Sequence, residues 1–207
     1  MFGRLAALLT GASLAACSIV GVRSAEEPRF QVIDHAAAIE VRQYGPRIAA
    51  ETAVSGSELE ARSVGFRRLA GYIFGRNRQR ADIAMTAPVA QRREEVPMTA
   101  PVTQARGETG EWVIRFFMPA GYTLDTLPEP LDPEVRLVTV PGDTVAALRF
   151  AGSTAPGAVA SKQRELLKAL HSSAWRPVGP VATWFYDPPW TLPPFRRTEV
   201  VVHVRRR

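Results

Sequence analysis

The chain is short of most of what conventional catalysis or covalent stapling needs. Its 207 residues contain one cysteine, Cys17, which excludes an intrachain disulfide and a cysteine-rich metal site. Its three histidines, His35, His171 and His203, are widely spaced and show no ligand pairing. No Gly-x-Ser-x-Gly elbow, phosphate loop or dinucleotide fingerprint occurs. Carboxylates such as Glu94-Glu95 and Asp187 stand in loop-like contexts, where capping or solvation is their usual role. These absences lead to the expectation that the protein is not an enzyme. Lysine is nearly missing too, with only Lys162 and Lys168, so arginine carries the net charge of +6. The arginines are dispersed: the densest runs are Arg76-Asn77-Arg78-Gln79-Arg80 and Arg205-Arg206-Arg207. No nucleic-acid motif with interleaved aromatics accompanies them, and nucleic acid is not an expected partner.

What is present reads as globular. Hydrophobic residues make up 46% and charged residues 22%, enough to bury a core. Seventeen prolines and fifteen glycines argue for many turns and against a helical bundle. The start of the chain is a targeting pattern: Arg4, then an apolar run from Leu5 to Ala16 that is too short to span a bilayer. It ends in Leu14-Ala15-Ala16-Cys17, which resembles a bacterial lipobox, with small residues before the scissile bond and a thiol to take the lipid. An ordinary signal peptide with a chance cysteine reads similarly. The expected organisation is a lipoprotein signal peptide over 1–16, a lipid-anchored tether over 17–29 with Cys17 lipidated, and a folded domain over 30–207. Ser18 after the cysteine favours the outer membrane, so the expected location is membrane-anchored and periplasm-facing.

The remainder alternates between strand and helix patterns. Ile39 to Tyr44 alternates apolar and polar, Gly45-Pro46 turns, and Ile48 to Val54 reads as a second strand. Ser57 to Gly75 is the best helix: Ser57 and Glu60 form a capping box, and Gly75 stops it. Leu59, Phe66, Leu69, Ala70 and Ile73 share one face of it. Met85-Thr86-Ala87-Pro88-Val89 recurs unchanged as Met98-Thr99-Ala100-Pro101-Val102. Because proline donates no ladder hydrogen bond, both copies are expected at strand edges or bulges, with the charged link Gln91-Arg92-Arg93-Glu94-Glu95 as an exposed loop. Trp112 to Met118 is apolar enough for a central strand, and Val135 to Val140, Val145 to Phe150, Val181 to Tyr186 and Glu199 to Val204 read as further strands. A second helix is expected from Ser161 to Leu170. Strands, helix, strands, repeated twice, indicate an α+β fold of two similar halves, each with one helix, on a curved or barrel-like sheet.

Several blocks carry a resemblance. Tyr72-Ile73-Phe74-Gly75-Arg76-Asn77, the doubled Met-Thr-Ala-Pro-Val, Phe117-Met118-Pro119 and Leu127-Pro128-Glu129-Pro130 look like the SOUL haem-binding protein family. Phe150-Ala151-Gly152, Tyr186-Asp187-Pro188-Pro189 and Arg196-Arg197-Thr198-Glu199-Val200 continue the pattern in the family's order. The resemblance implies a distorted β-barrel of two similar halves with flanking helices. It also implies binding of haem or a related tetrapyrrole in an apolar groove beside the first helix. On that helix Phe66, Leu69 and Ile73 are the implied walls, and Arg62, Arg67 and Arg68 the implied propionate partners. The same stripe is also what core packing looks like, and the arginines individually suit a solvated surface. Some members are thought to ligate iron through a histidine where this chain has Gln43, so His171 and His203 are fallback ligands, His171 first. Met85 and Met98 are expected as core fillers. The implied function is a lipid-anchored haem carrier, buffer or sequestering protein. The alternative is a structural or interaction lipoprotein that keeps the fold and binds another apolar ligand or a protein.

Overall fold

The computed structural model describes residues 25–95, 110–188 and 190–207. The second Met-Thr-Ala-Pro-Val copy, Cys17 and the signal segment lie outside the described residues. The first half holds β1 (Phe30–Ala36), β2 (Ile39–Tyr44), β3 (Arg47–Val54), α1 (Glu58–Ile73), β4 (Val89–Glu95) and β5 (Gly110–Phe117). The second holds β6 (Arg136–Val140), β7 (Asp143–Phe150), α2 (Pro156–His171), β8 (Trp175–Pro177), β9 (Ala182–Phe185) and β10 (Thr198–Arg206). The strands form one sheet in the order β1-β2-β7-β10-β9-β4-β5-β3-β6, with β8 paired to β10.

One ribbon organises this sheet. β2 pairs with β7 from Ile39↔Leu148 to Tyr44↔Asp143, and β3 pairs with β6 from Arg47↔Val140 to Glu51↔Arg136. The offset is the same on both sides, so β2–β3 and β6–β7 are two long strands bent together at Gly45-Pro46 and Pro141-Gly142. Both prolines lack an N–H, which interrupts the ladder where it turns. Gly142 lets the two backbones meet there: a Cβ on it would lie 3.0 Å from the Tyr44 carbonyl oxygen. The barrel expectation is therefore corrected. Among the described residues the ladder ends on β1 and β6 and does not close; the bend, not a closing hydrogen-bonded seam, turns one half towards the other.

Alternation along the strands then sorts the core into three parts. α1 packs on the outer face of β3 and β5, with Leu69, Tyr72 and Ile73 against Ala50, Ile114 and Phe116. α2 packs on the outer face of β2, β7 and β10, with Val159, Leu166 and Leu170 against Val41, Leu148 and Val202. The inner faces share a third cluster that includes Tyr44, Ala49, Ala90, Phe117, Val145, Trp184 and Val201. The two halves with one flanking helix each are as the sequence suggested.

Charged groups cap the inner cluster. On the same face of β10 as Val201, Glu199 is wholly buried and accepts from five donors. Its Oε2 takes Arg42 Nη1 at 2.6 Å and the Tyr186 hydroxyl at 2.8 Å. Its Oε1 takes Arg42 Nη2 at 3.1 Å, Arg197 Nη2 at 3.0 Å and Arg197 Nε at 3.1 Å. Burial alone would raise this carboxyl, but the Arg42 bond and charge outweigh it and hold Glu199 below the ordinary carboxylate value. Arg197 also reaches Glu27 at 3.0 Å, and the Glu26 carbonyl accepts from Ala87 N at 2.9 Å, so residues just before β1 lie against the domain.

Two local expectations change. The link Gln91 to Glu95 is not a loop but most of β4, a strand between β9 and β5. Its polar side chains are consistent with that position: Gln91 is buried and donates to the Glu58 carbonyl at 2.9 Å, while Arg92 faces the inner cluster's end. Pro88, expected at an edge or bulge, instead stands immediately before this central strand, where its missing donor costs no ladder bond.

Candidate functional site

α1 begins where its capping chemistry dictates: Ser57 Oγ accepts from Glu60 N at 3.4 Å. It carries two apolar stripes. Ala61, Gly65, Leu69, Tyr72 and Ile73 form the buried one. Gly65 allows close seating, since a Cβ there would come within 2.8 Å of Ile114. The second stripe is Phe66, Ala70 and the C-cap Phe74, spaced by four residues; the two phenylalanines are turned outward, while half-buried Ala70 between them also touches the core. Phe66 is 36% and Phe74 61% exposed, although the Phe66 ring meets Phe116 edge-on at 5.3 Å. Two exposed phenylalanines on one helix face are a surface feature that core packing does not explain.

The end of the helix is braced from behind. Gly75 takes φ +91°, a left-handed conformation that glycine adopts at no steric cost. Buried Asn77 donates to the Tyr72 and Ala81 carbonyls at 3.0 and 2.7 Å and accepts from Ala81 N at 2.9 Å. The Tyr72 hydroxyl donates to the Pro128 carbonyl at 2.9 Å. Thr86 Oγ1 donates to the Phe117 carbonyl. Several motif blocks in this half of the chain thus serve to hold α1 on the sheet.

The outward stripe opens into a groove of about 580 Å³, lined by Val64, Phe66, Arg67, Arg68, Ala70, Gly71, Phe74, Arg76 and Asp132. That volume is of ordinary small-molecule size. Three arginines and one aspartate are among its lining residues. Arg68 is partly committed, donating to Thr52 Oγ1 and the Ala53 carbonyl at 3.3 Å each, with Glu134 at 3.8 Å. Arg76 lies back over the helix at Gly71, where a Cβ would sit 3.1 Å from its Cδ. Arg67 is exposed.

Of the residues singled out from the sequence, Phe66, Arg67 and Arg68 come together in this groove. Leu69 and Ile73 do not: both are buried in the core beneath α1, because they share the Gly65 side of the helix. Arg62 lies on the opposite flank, its guanidinium 4.6 Å from the Phe185 ring, and burial lowers its pKa. His171 stands exposed in the last turn of α2, which packs on β7, β8 and β10 rather than near α1. His203 faces Asp143 at 3.4 Å. Met85 packs against the core under α1, as a filler should. Among the described residues no cluster of three or more His, Cys, Asp or Glu could hold a metal ion.

Sequence reading missed Phe74, Gly71, Arg76 and Asp132. The signal for Phe74 was present: Phe66, Ala70 and Phe74 recur every four residues, but they merge with the buried stripe into one broad apolar pattern. Asp132 is brought in by a distant loop and had no local signal. The groove fits a flat apolar macrocycle bearing carboxylates, with aromatic walls for its face and guanidinium groups for its anions. None of the nine lining residues is His, Met, Cys or Tyr, so they supply no haem-iron ligand.

A family model described as SOUL heme-binding protein matches residues 25–203. Among solved structures, the EcmrR C-terminal domain superposes with a TM-score of 0.60 at 8% identity, over 86% of this chain and 99% of that one. An uncharacterized conserved protein from Listeria innocua gives 0.55 at 11% identity, covering 81% and 92% of the two chains. A hydrolase from Listeria innocua gives 0.54 at 11% identity, covering 81% and 91%. At these identities the likeness is one of fold. No curated protein matches the chain in sequence.

Proposed function

The chain belongs to the SOUL heme-binding protein family, and on that premise we propose that it is a lipid-anchored haem- or tetrapyrrole-binding protein that carries, buffers or sequesters its ligand without catalysis. The observation that carries this reading is the outward stripe Phe66, Ala70 and Phe74, flanked by Arg67, Arg68 and Arg76 on one open groove. The phenylalanine rings cover a macrocycle face, and the arginines pair its propionates from the rim. Haem iron, when bound, adds an electrophilic centre that the groove's own side chains leave without a ligand. Affinity then rests on ring contact and charge, and the metal-free macrocycle is held about as well as haem. The pattern Leu14-Ala15-Ala16-Cys17 supports anchoring through Cys17, and Ser18 supports an outer-membrane location facing the periplasm.

The test is a titration of the full chain with haemin and, separately, with metal-free protoporphyrin, read from the Soret band. Saturation near one equivalent is expected for both, with affinities within about tenfold of each other. Phe74→Ala is expected to weaken both by roughly tenfold, the worth of one aromatic contact, and Arg67→Gln with Arg76→Gln by a similar factor. His171→Ala is expected to change neither. A change no larger than that on an unrelated basic protein overturns the reading and leaves the groove to another apolar ligand or a protein.

A further inference from the structure

The stretch from Trp190 to Phe195 holds three large apolar side chains in solvent. Trp190 is 64%, Leu192 47% and Phe195 49% exposed. None belongs to the three core clusters or to the lining of the α1 groove. Single exposed apolar side chains are ordinary, but three on one turn mark a contact surface.

The turn that carries them is braced. Thr191, between the first two, is fully buried; its N–H donates to the Pro188 carbonyl at 3.1 Å, and its carbonyl accepts from Arg196 Nε at 2.6 Å. A turn of 3₁₀ helix, Pro193–Phe195, follows, with Phe195 N donating to the Leu192 carbonyl at 2.9 Å. The Pro193 carbonyl accepts from Gly152 N at 2.8 Å, which ties the turn to the chain just past β7. With its backbone held at these points, the turn presents its apolar side chains at little further ordering cost.

What stands at the root of the turn identifies the occupant. Arg197 donates from its backbone N to Asp187 Oδ2 at 2.6 Å, which closes the base. The same residue's Nη1 donates to Glu27 at 3.0 Å, and Glu26 Oε1 accepts from Ala120 N at 2.9 Å. Residues 26 and 27 are therefore fixed to the domain beside this turn. Cys17 is eight residues back from Ala25. A lipid on that cysteine therefore lies within roughly 29 Å of Ala25 even with the connecting chain fully extended. The anchor keeps this turn, and not the far side of the domain, next to the bilayer. The side-chain chemistry agrees. Tryptophan favours the membrane–water interface, leucine and phenylalanine bury below it, and no carboxylate occurs from Trp190 to Arg197.

We propose that Trp190, Leu192 and Phe195 insert into the interfacial layer of the bilayer that carries the Cys17 lipid, and so fix how the domain is oriented on that membrane. The inference rests on the reading of Cys17 as lipidated. It does not depend on what the α1 groove binds.

The experiment uses the full chain, expressed in a bacterium, extracted from the membrane fraction and reconstituted into phosphatidylcholine–phosphatidylglycerol vesicles. Intact mass reports the lipid on Cys17, and tryptophan quenching by lipid brominated high on the acyl chain reports the turn. A quenched component that survives high salt is expected, because insertion of apolar groups is not screened as the attraction of a basic protein is. Trp190→Phe removes that component. Leu192→Glu together with Phe195→Glu, both at exposed positions, lowers it several-fold while the protein stays in the membrane fraction. A lipidated chain whose emission the brominated lipid leaves unchanged overturns this inference alone, and assigns the turn to a protein partner or a second copy. A chain without lipid on Cys17 overturns the anchoring premise and the inference with it. Quenching that Trp190→Phe or the paired glutamates leave intact overturns it as well, since another part of the domain then meets the lipid.

Discussion

The two ends of the inner core are built from the same materials and finished differently. At one end Glu199 accepts from Arg42, Arg197 and Tyr186, and the arginines spend their other donors on Glu40 and Glu27. At the other end Arg47, Arg92 and Arg115 line a cavity together with Asp143, and among the described residues two buried donors of Arg47 have no acceptor. His203 and Glu199 lie on the same face of one strand, four residues and about 13 Å apart. The Glu199 end is assembled from blocks that carry the family resemblance, Tyr186 to Pro189 and Arg196 to Val200. The polar residues at the Arg47 end fall outside every such block. A buried polar network with all its bonds made specifies a fold; one with donors in excess carries an uncompensated cost.

The largest effect expected from breaking this contrast is at Glu199. Glu199→Ala leaves Arg42 and Arg197 buried without their shared carboxylate and is expected to cost about 3–5 kcal/mol in chemical denaturation. A loss below about 1 kcal/mol would mean that the two ends are not different in kind. Next comes the bend that sets the ends apart. Gly142→Ala pushes a methyl against the Tyr44 carbonyl, 3.0 Å from the new Cβ, and is expected to cost roughly 1–3 kcal/mol by crowding. Gly152→Ala, at a position with open space around it but φ +104°, separates backbone strain from contact.

The smallest effect is in pH dependence, and it sharpens the comparison because the ends titrate in different windows. The folded pKa of Glu199 is below its ordinary 4.5, so its contribution is complete above that value and is lost as pH falls beneath it. The folded pKa of His203 is also lowered, from an ordinary 6.5, by burial first. A histidine of that kind makes the unfolded chain bind the proton sooner, so stability declines as pH falls through 6.5 and towards its folded pKa. His203→Gln is expected to remove the decline near pH 6 in urea midpoints and leave the acid limb below 4.5 in place. An unchanged decline near pH 6 would assign it elsewhere.

Legibility varied with how local the governing physics is. Ser57 and Gly75 could be read as the ends of α1 because capping and left-handed turns are decided within a few residues. Trp112 to Met118 could be read as a central strand because a strand apolar on both faces needs cover on both sides. The link Gln91 to Glu95 could not, since side chains such as Gln91, which donates to the Glu58 carbonyl, and Arg92, which lines the charged end of the inner cluster, look like solvated ones until their surroundings are known. The groove was half legible: Phe66, Arg67 and Arg68 line it together. Leu69 and Ile73 lie in the core beneath α1 instead, because a helix with two apolar stripes does not announce which one meets the sheet.

By itself the amino-acid order determined both helices and most of the strands, the two-half α+β plan, the family, and the expectation of a lipidated Cys17. Those follow from periodicity, punctuation and motif, all of which are written along the chain. Only the tertiary structure decided that the sheet stays open and that Arg62 turns towards Phe185 and not into the groove. It alone decided that Glu199 is fully partnered while Arg47 is not. Each of these depends on which distant residue supplies the facing atom, and hydrogen-bond satisfaction is a property of pairs in space that no single stretch of sequence contains.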